Sequence, residues 1–352
     1  MTYRGWMKDG WIAAALVAAG GLLTVLPAAA NPPGLDVRLS ASAPVLQGDV
    51  DVNLTVTLTN TTRHPIHVLR WQLPDDDLEG ALFRITREDG STVRYEGPIV
   101  KRAPPQAADH VRIDAGASLS YAVELTASYD LSRSGRYSIE YASPGGHGAQ
   151  ASSLRSQPLY LWLEGRSGKG NLQGAAPVAA AAATVYSNCS ATQQTDLSAA
   201  KSQAVTYSNG AVTYLANPPS PSQRYVTWFG SFNSDGLTTA KSHFTAIYSA
   251  FTTQTVAFDC KCKKPSIYAY VYSNQPYKIY LCGAFWKAPL GGTDSRGGTL
   301  IHEMSHFNVV ASTDDWAYGQ SAAANLAITD PGKALDNADS HEYFAENTPP
   351  LP

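Results

Sequence analysis

"GTLIHEMSHFNVVASTDDWAYG", residues 298–319, carries His302 and His306 four positions apart, Glu303 directly after the first, and the pair Asp314 and Asp315 a short way on. On a helix, positions i and i+4 share one face about 6 Å apart. Both imidazoles can therefore reach one ion at about 2.0–2.1 Å. Glu303 lies beside His302 but off the ligand positions, where it can act as general base toward a water activated at the metal. Gly297 and Gly298 before the histidines and Leu300, Ile301, Met304 and Phe307 around them give this helix the buried side that an active-site helix needs. A catalytic zinc site also requires a third protein ligand and one open position. The place six residues beyond the second histidine is Ser312, and the region about twenty residues on holds Ala and Asn, so two familiar third-ligand patterns fail. Asp314 and Asp315 remain, although as turn or cap residues they would fit equally well.

Outward from this stretch, the second half has helical texture broken by strands. "TDLSAAKSQAVTYSNGAVTYLA" and "SDGLTTAKSHFTAIYSAF" space their apolar residues as helices do. The runs "TVAFDC", "SIYAYVYS" and "YKIYLCGAFW" look like strands, and helix returns in "GQSAAANLAITD" and "GKALDNADSHEYFAEN". The expected unit is an α+β, mainly helical domain over 184–352. The first half differs. Runs such as "VDVNLTVTLTN", "ALFRITREDG" and "GRYSIEYASPGG" alternate with period two between turn clusters, as half-buried strands do. About seven strands at this spacing suggest an all-β immunoglobulin-like sandwich over 31–163. Its histidines, His64, His67, His110 and His147, are scattered and form no catalytic constellation. Residues 164–183, rich in Gly, Ser and Ala, read as a linker and activation region.

Residues 1–30 place Arg4 and Lys8 before an apolar run from Trp11 to Leu26 that ends in Pro27 and three alanines. This is the pattern of a cleaved secretory signal, and the run is shorter than the ~20 residues of a spanning helix. The expectation is a secreted, extracellular protein with no membrane attachment after signal cleavage. Four cysteines, Cys189, Cys260, Cys262 and Cys282, then read as two disulfides. Cys260 and Cys262 are too close to pair comfortably, which leaves either Cys189–Cys260 with Cys262–Cys282 or the crossed arrangement. A charged fraction of 16%, a net charge of -3 and the lack of a basic stripe argue against a nucleic-acid partner.

The segment 312–319, "STDDWAYG", together with H-E-x-x-H, resembles the aspzincin metalloendopeptidases, whose pattern is G-T-x-D-x-x-Y-G with Ser312 here in place of the glycine. The resemblance implies that Asp315 is the third zinc ligand and that Tyr318 stabilises the oxyanion. From about Thr184 to Pro349 the stretches "RYVTWFGS", "AFDCKC", "YLCGAFWKAP", "GTDSRGGTLIHE" and "NADSHEYFAEN" are similar to the lysine-specific branch. That likeness implies the pairing Cys189–Cys260 and Cys262–Cys282, one catalytic Zn2+, a zincin-type metalloprotease domain and a preceding pro-domain. Asp339 and Glu342, at i and i+3, could be a solvated acidic helix face. The resemblance makes them the walls of a pocket for the residue after the scissile bond, suited to the compact charge of lysine.

The function expected is therefore a secreted zinc endopeptidase made as a zymogen, cutting protein or peptide substrates on the amino side of lysine with Glu303 as base. Self-processing at Gly168–Lys169, with trimming toward Thr184, is one route to the mature form. A broad-specificity deuterolysin-like protease is the nearer rival. A catalytically dead secreted binding protein is a more distant one, since the expected base and ligands are all present. Asn53, Asn60 and Asn188 fit glycosylation sequons.

Overall fold

The computed structural model describes residues 31–74, 78–143, 153–167 and 183–352. The signal segment, His147 and the Gly168–Lys169 bond lie outside the described residues.

The first half is built of strands, as its alternation requires. β1 (Leu35–Ala41), β3 (Asn53–Asn60) and β9 (Ser118–Glu124) form an antiparallel sheet in the order β1-β3-β9. In β3 the apolar Leu54, Val56 and Leu58 point inward while the intervening threonines do not. A second sheet runs β2 (Val45–Gln47), β12 (Leu159–Glu164), β10 (Gly135–Ser143), β5 (Phe83–Arg87) and β6 (Thr92–Val93), with β11 (Leu154–Arg155) paired to β10. β4 (Ile66–Leu69) and β8 (His110–Ile113) make a separate antiparallel pair. One apolar cluster, including Val56, Ile85, Leu125, Tyr137 and Leu161, joins these sheets. His64, His67 and His110 are exposed.

One strand of this half leaves it. β7 (Pro98–Arg102) is the outer strand of a five-stranded sheet whose other members, β13 (Thr184–Ser187), β14 (Val256–Asp259), β16 (Lys278–Leu281) and β15 (Ile267–Tyr272), all belong to the second half. β13, β14 and β16 run parallel, and β15 and then β7 are antiparallel to their neighbours. Tyr270 faces Val100 and Ala269 faces Lys101, with a bulge between Ile267 and Ala269. The two halves, separate in sequence texture, thus share a sheet.

Among the described residues seven α-helices accompany this sheet, with α4 packed directly on it. α1 (Ala191–Ala216) begins four residues before the helical texture does, at a Ser190 cap that accepts from Gln193 N. Its buried stripe is Leu197, Ala200, Ala204, Ala211 and Leu215. α2 (Gln223–Phe229) is a short helix that periodicity alone does not reveal, and α3 (Ser234–Thr253) follows. α4 (Arg296–Ser305) carries the histidines and is buried along nearly its whole length. α5 (Gln320–Thr329), α6 (Pro331–Leu335) and α7 (Ala338–Glu346) close the domain, and the final helical run is broken at Asp336 and Asn337. Thr184–Ser187, in a stretch without apolar periodicity, is a strand because it pairs with β14. The disulfides are Cys189–Cys260 and Cys262–Cys282, so the crossed pairing is excluded.

Candidate metal centre and lysine pocket

Close packing explains the two glycines that open α4. A Cβ on Gly298 would lie 2.0 Å from Glu346 Oε1, and one on Gly297 would lie 2.7 Å from Gln203 Cγ. The same Glu346 oxygen accepts from Ser295 N at 2.8 Å and Ser295 Oγ at 2.7 Å, while Ser295 Oγ caps the helix by accepting from Gly298 N at 2.9 Å. α4 is therefore fixed to α7 at its first turn.

At the other end of α4, the His302 and His306 rings lie 4.8 Å apart, centroid to centroid. His306 Nδ1 donates to the Thr313 carbonyl at 2.7 Å, a partner that can only accept, so Nε2 presents its lone pair. The chain then reverses through Ser312, whose φ of 59° is left-handed, the conformation that glycine supplies elsewhere. Asp314 pairs through its backbone with the start of α7, accepting from Ala338 N at 3.1 Å and donating to Asp336 O at 2.8 Å. Asp315 turns inward, with Oδ1 3.2 Å from His302 Nε2 and 3.6 Å from His306 Nε2. Asn337 holds this loop by accepting from both Trp316 N and Ala317 N at 3.0 Å. Asn337 was not legible as a site residue, because its role appears only once the helical run breaks there.

His302, His306 and Asp315 offer two nitrogens and a carboxylate oxygen within 4.8 Å of one another. His302 Nε2, His306 Nε2 and Asp315 Oδ1 are buried and make no aligned hydrogen bond. Buried polar atoms left this way are costly unless something else satisfies them. This donor set matches zinc. Glu303 is fully buried with both carboxylate oxygens unpartnered, and burial pushes its pKa up to about 8 against the opposing charge of His302. Tyr318 Oη donates to Asp315 Oδ2 at 2.9 Å and approaches the Val100 carbonyl at 3.4 Å.

Asp339 and Glu342, on the first turns of α7, are not solvated. Both are buried, and the ammonium of Lys101 sits between them, 3.0 Å from Asp339 Oδ1 and 2.6 Å from Glu342 Oε2. The Lys101 side chain is only 2% exposed. Tyr268 and Tyr343 flank its ammonium, with ring centroids at 5.6 Å and 6.0 Å. Burial opposes the charged lysine, but Asp339 and Glu342 outweigh it and hold its pKa well above the usual value. Burial likewise opposes ionisation of Asp339, and Lys101 overcomes it. The next residue, Arg102, donates to the Val100 carbonyl at 3.3 Å and to Glu79 Oε2 at 2.6 Å.

A family model described as lysine-specific metallo-endopeptidase matches residues 214–346. An extracellular protease of Aeromonas hydrophila is 45% identical over 347 residues, 95% of this chain and 97% of that protein. The chain belongs to the aspzincin metalloendopeptidases. A peptidyl-Lys metalloendopeptidase of Grifola frondosa is 35% identical, covering 93% of this chain and 97% of the relative. A solved zinc peptidase from Grifola frondosa is 48% identical, spanning 47% of this chain and 100% of that one, with a TM-score of 0.45. This aspzincin is a secreted zinc endopeptidase whose substrates are proteins or peptides.

Proposed function

We propose that the aspzincin is made as a zymogen and, once active, cuts on the amino side of lysine. Residues 31–163 would be an immunoglobulin-like pro-domain, 164–183 the linker that is cut, with Gly168–Lys169 as a self-processing point, and 184–352 the enzyme. The observation that carries this reading is Lys101, a first-half lysine seated on two buried carboxylates while the carbonyl one residue before it lies on Tyr318. An Xaa-Lys substrate would need the same placement, with its side chain in the pocket and its scissile carbonyl at the catalytic groups. β7 also adds to the edge of β15 as an extended peptide would, with main-chain pairing supplying affinity and the pocket supplying specificity.

In this scheme His302, His306 and Asp315 hold the metal. Zinc, when bound, supplies Lewis-acid activation of water and of the substrate carbonyl. Glu303 takes the proton from the attacking water and delivers it to the amine of the departing lysine residue. Tyr318 donates to the oxyanion, from a position already within reach of the Val100 oxygen. Asp339 and Glu342 select the ammonium, and Tyr268 and Tyr343 add their aromatic faces.

Peptide mapping of a denatured, unrelated protein digested by the processed enzyme tests the specificity. Nearly all new N-termini should be lysine. Frequent cuts before uncharged residues would favour the broad-specificity deuterolysin-like alternative instead.

A further inference from the structure

We infer that Asp339 is a positioning residue for the zinc ligand His302 as well as a wall of the lysine pocket. The inference rests on the proposed zinc and lysine assignments and goes beyond them by giving one carboxylate two tasks. Asp339 Oδ1 lies 2.8 Å from His302 Nδ1, on the side of the ring away from the metal-facing Nε2. This contact is short but not aligned with the ring N–H. The other oxygen, Oδ2, accepts from Gly319 N at 2.6 Å. Gly319 ends the loop that carries Asp315 and Tyr318, so one side chain touches both the histidine helix and the loop with the third ligand.

The remaining histidine has its own outer partner, the Thr313 carbonyl at 2.7 Å. Outer partners of this kind fix the tautomer and orientation of a ligating imidazole, and their loss typically weakens metal binding about 10–100-fold. No such second link exists for Glu342. Its Oε2 is 3.5 Å from His302 Nδ1 but 2.6 Å from the Lys101 ammonium, and no hydrogen bond ties it to the ligand loop among the described residues. The division of labour follows: Glu342 serves the lysine, whereas Asp339 serves both the lysine and the metal. Because Asp339 Oδ1 faces His302 Nδ1 and the Lys101 ammonium at once, the charge that selects the substrate abuts the ligand that holds the ion.

Zinc affinity of the full chain, measured by competition with a chromophoric chelator, tests this without reference to activity. Asp339→Asn should weaken zinc binding about 10–100-fold, and Glu342→Gln should change it less than about threefold. Equal affinity in Asp339→Asn and the parent, or equal losses in both variants, overturns the inference. His302→Ala separates this from the underlying assignment: zinc retained at full stoichiometry there would refute the metal site itself. Far-UV circular dichroism checks that Asp339→Asn is folded. If it is not, histidine 15N NMR of the zinc-loaded parent decides. A slowly exchanging, downfield His302 Nδ1 proton is expected, and a rapidly exchanging one overturns the inference.

Discussion

The two halves bury charge in opposite ways. The catalytic half encloses His302, Glu303, His306, Asp339, His341, Glu342 and Glu346, a polar cluster inside an apolar shell. In the first half the core is apolar, and among the described residues the only charged side chains classed as buried are Lys101 and Arg102. Both lie on β7, the strand that leaves this half to join the other. Burying an ionised group is expensive unless it is paired. Arg102 is answered by Glu79 within its own half, whereas Lys101 is answered by Asp339 and Glu342 of the other. The second half buries the carboxylates of Glu303, Asp339, Glu342 and Glu346, and β7 supplies the Lys101 ammonium against two of them.

The largest expected effect concerns the catalytic side of that contrast. Glu303→Gln should lower turnover of the processed enzyme by about 10²–10⁴-fold, the range for loss of a positioned base, with zinc stoichiometry unchanged. Rate assays on an Xaa-Lys peptide alongside metal analysis would check this. An active, zinc-loaded Glu303→Gln enzyme would remove Glu303 from the mechanism.

Next in size is the charge that crosses between the halves. Lys101→Met leaves Asp339 and Glu342 facing each other without their counter-ion. Removing one partner of a buried pair costs about 3–5 kcal/mol. Much of that loss should appear as weaker docking of β7, since a free lysine side chain could now enter. Initial rates of intact, mass-verified full chains should rise on the order of a hundredfold over the parent, at about 1.4 kcal/mol per factor of ten. An intact Lys101→Met chain as inactive as the parent would mean that this lysine does not close the cleft.

The sequence exposes these two sides unequally. His302, Glu303, His306, Asp315 and Tyr318 fall within one short stretch, since a helix turn and a tight loop can place all of them, and Asp339 and Glu342 share a helical turn. Local geometry forces such spacing, so it leaves a written trace. The partner of those carboxylates lies 238 residues upstream of Asp339. "PIVKR" has no clean alternation and sits between prolines, so it gives no strand signal and no hint of its destination. The first half's strands were legible from period two, but the departure of β7 from them was not. Likewise α2 and the break at Asn337 depend on packing against distant elements rather than on periodicity.

A smaller effect tests whether the buried charge depends on close helix contact. Gly298→Ala would force its methyl group against Glu346, whose carboxylate fixes the start of α4. Overpacking of this kind typically costs about 1–3 kcal/mol. Thermal unfolding of the catalytic half should shift down by roughly 2–4 °C per kcal/mol. An unchanged midpoint would show that Glu346 can move aside and that the glycine is not needed for the α4–α7 approach.

The smallest expected change has the opposite sign, at Ser312. Its φ of 59° places a side-chain-bearing residue in the left-handed region, at a cost of about 1–2 kcal/mol relative to glycine. Glycine would relieve that strain but would lose more chain entropy on folding, about 0.5–1 kcal/mol. The net gain is therefore between about 0 and 1.5 kcal/mol, equivalent to a rise of at most about 6 °C. The Ser312 hydroxyl also accepts from Arg94 Nη2 of the first half, a bond that Ser312→Gly deletes. The rise should consequently be larger in the processed enzyme, where Arg94 is gone, than in the full chain. Differential scanning calorimetry of both forms would resolve this. Equal shifts would mean that the Arg94 contact contributes nothing to holding the halves together.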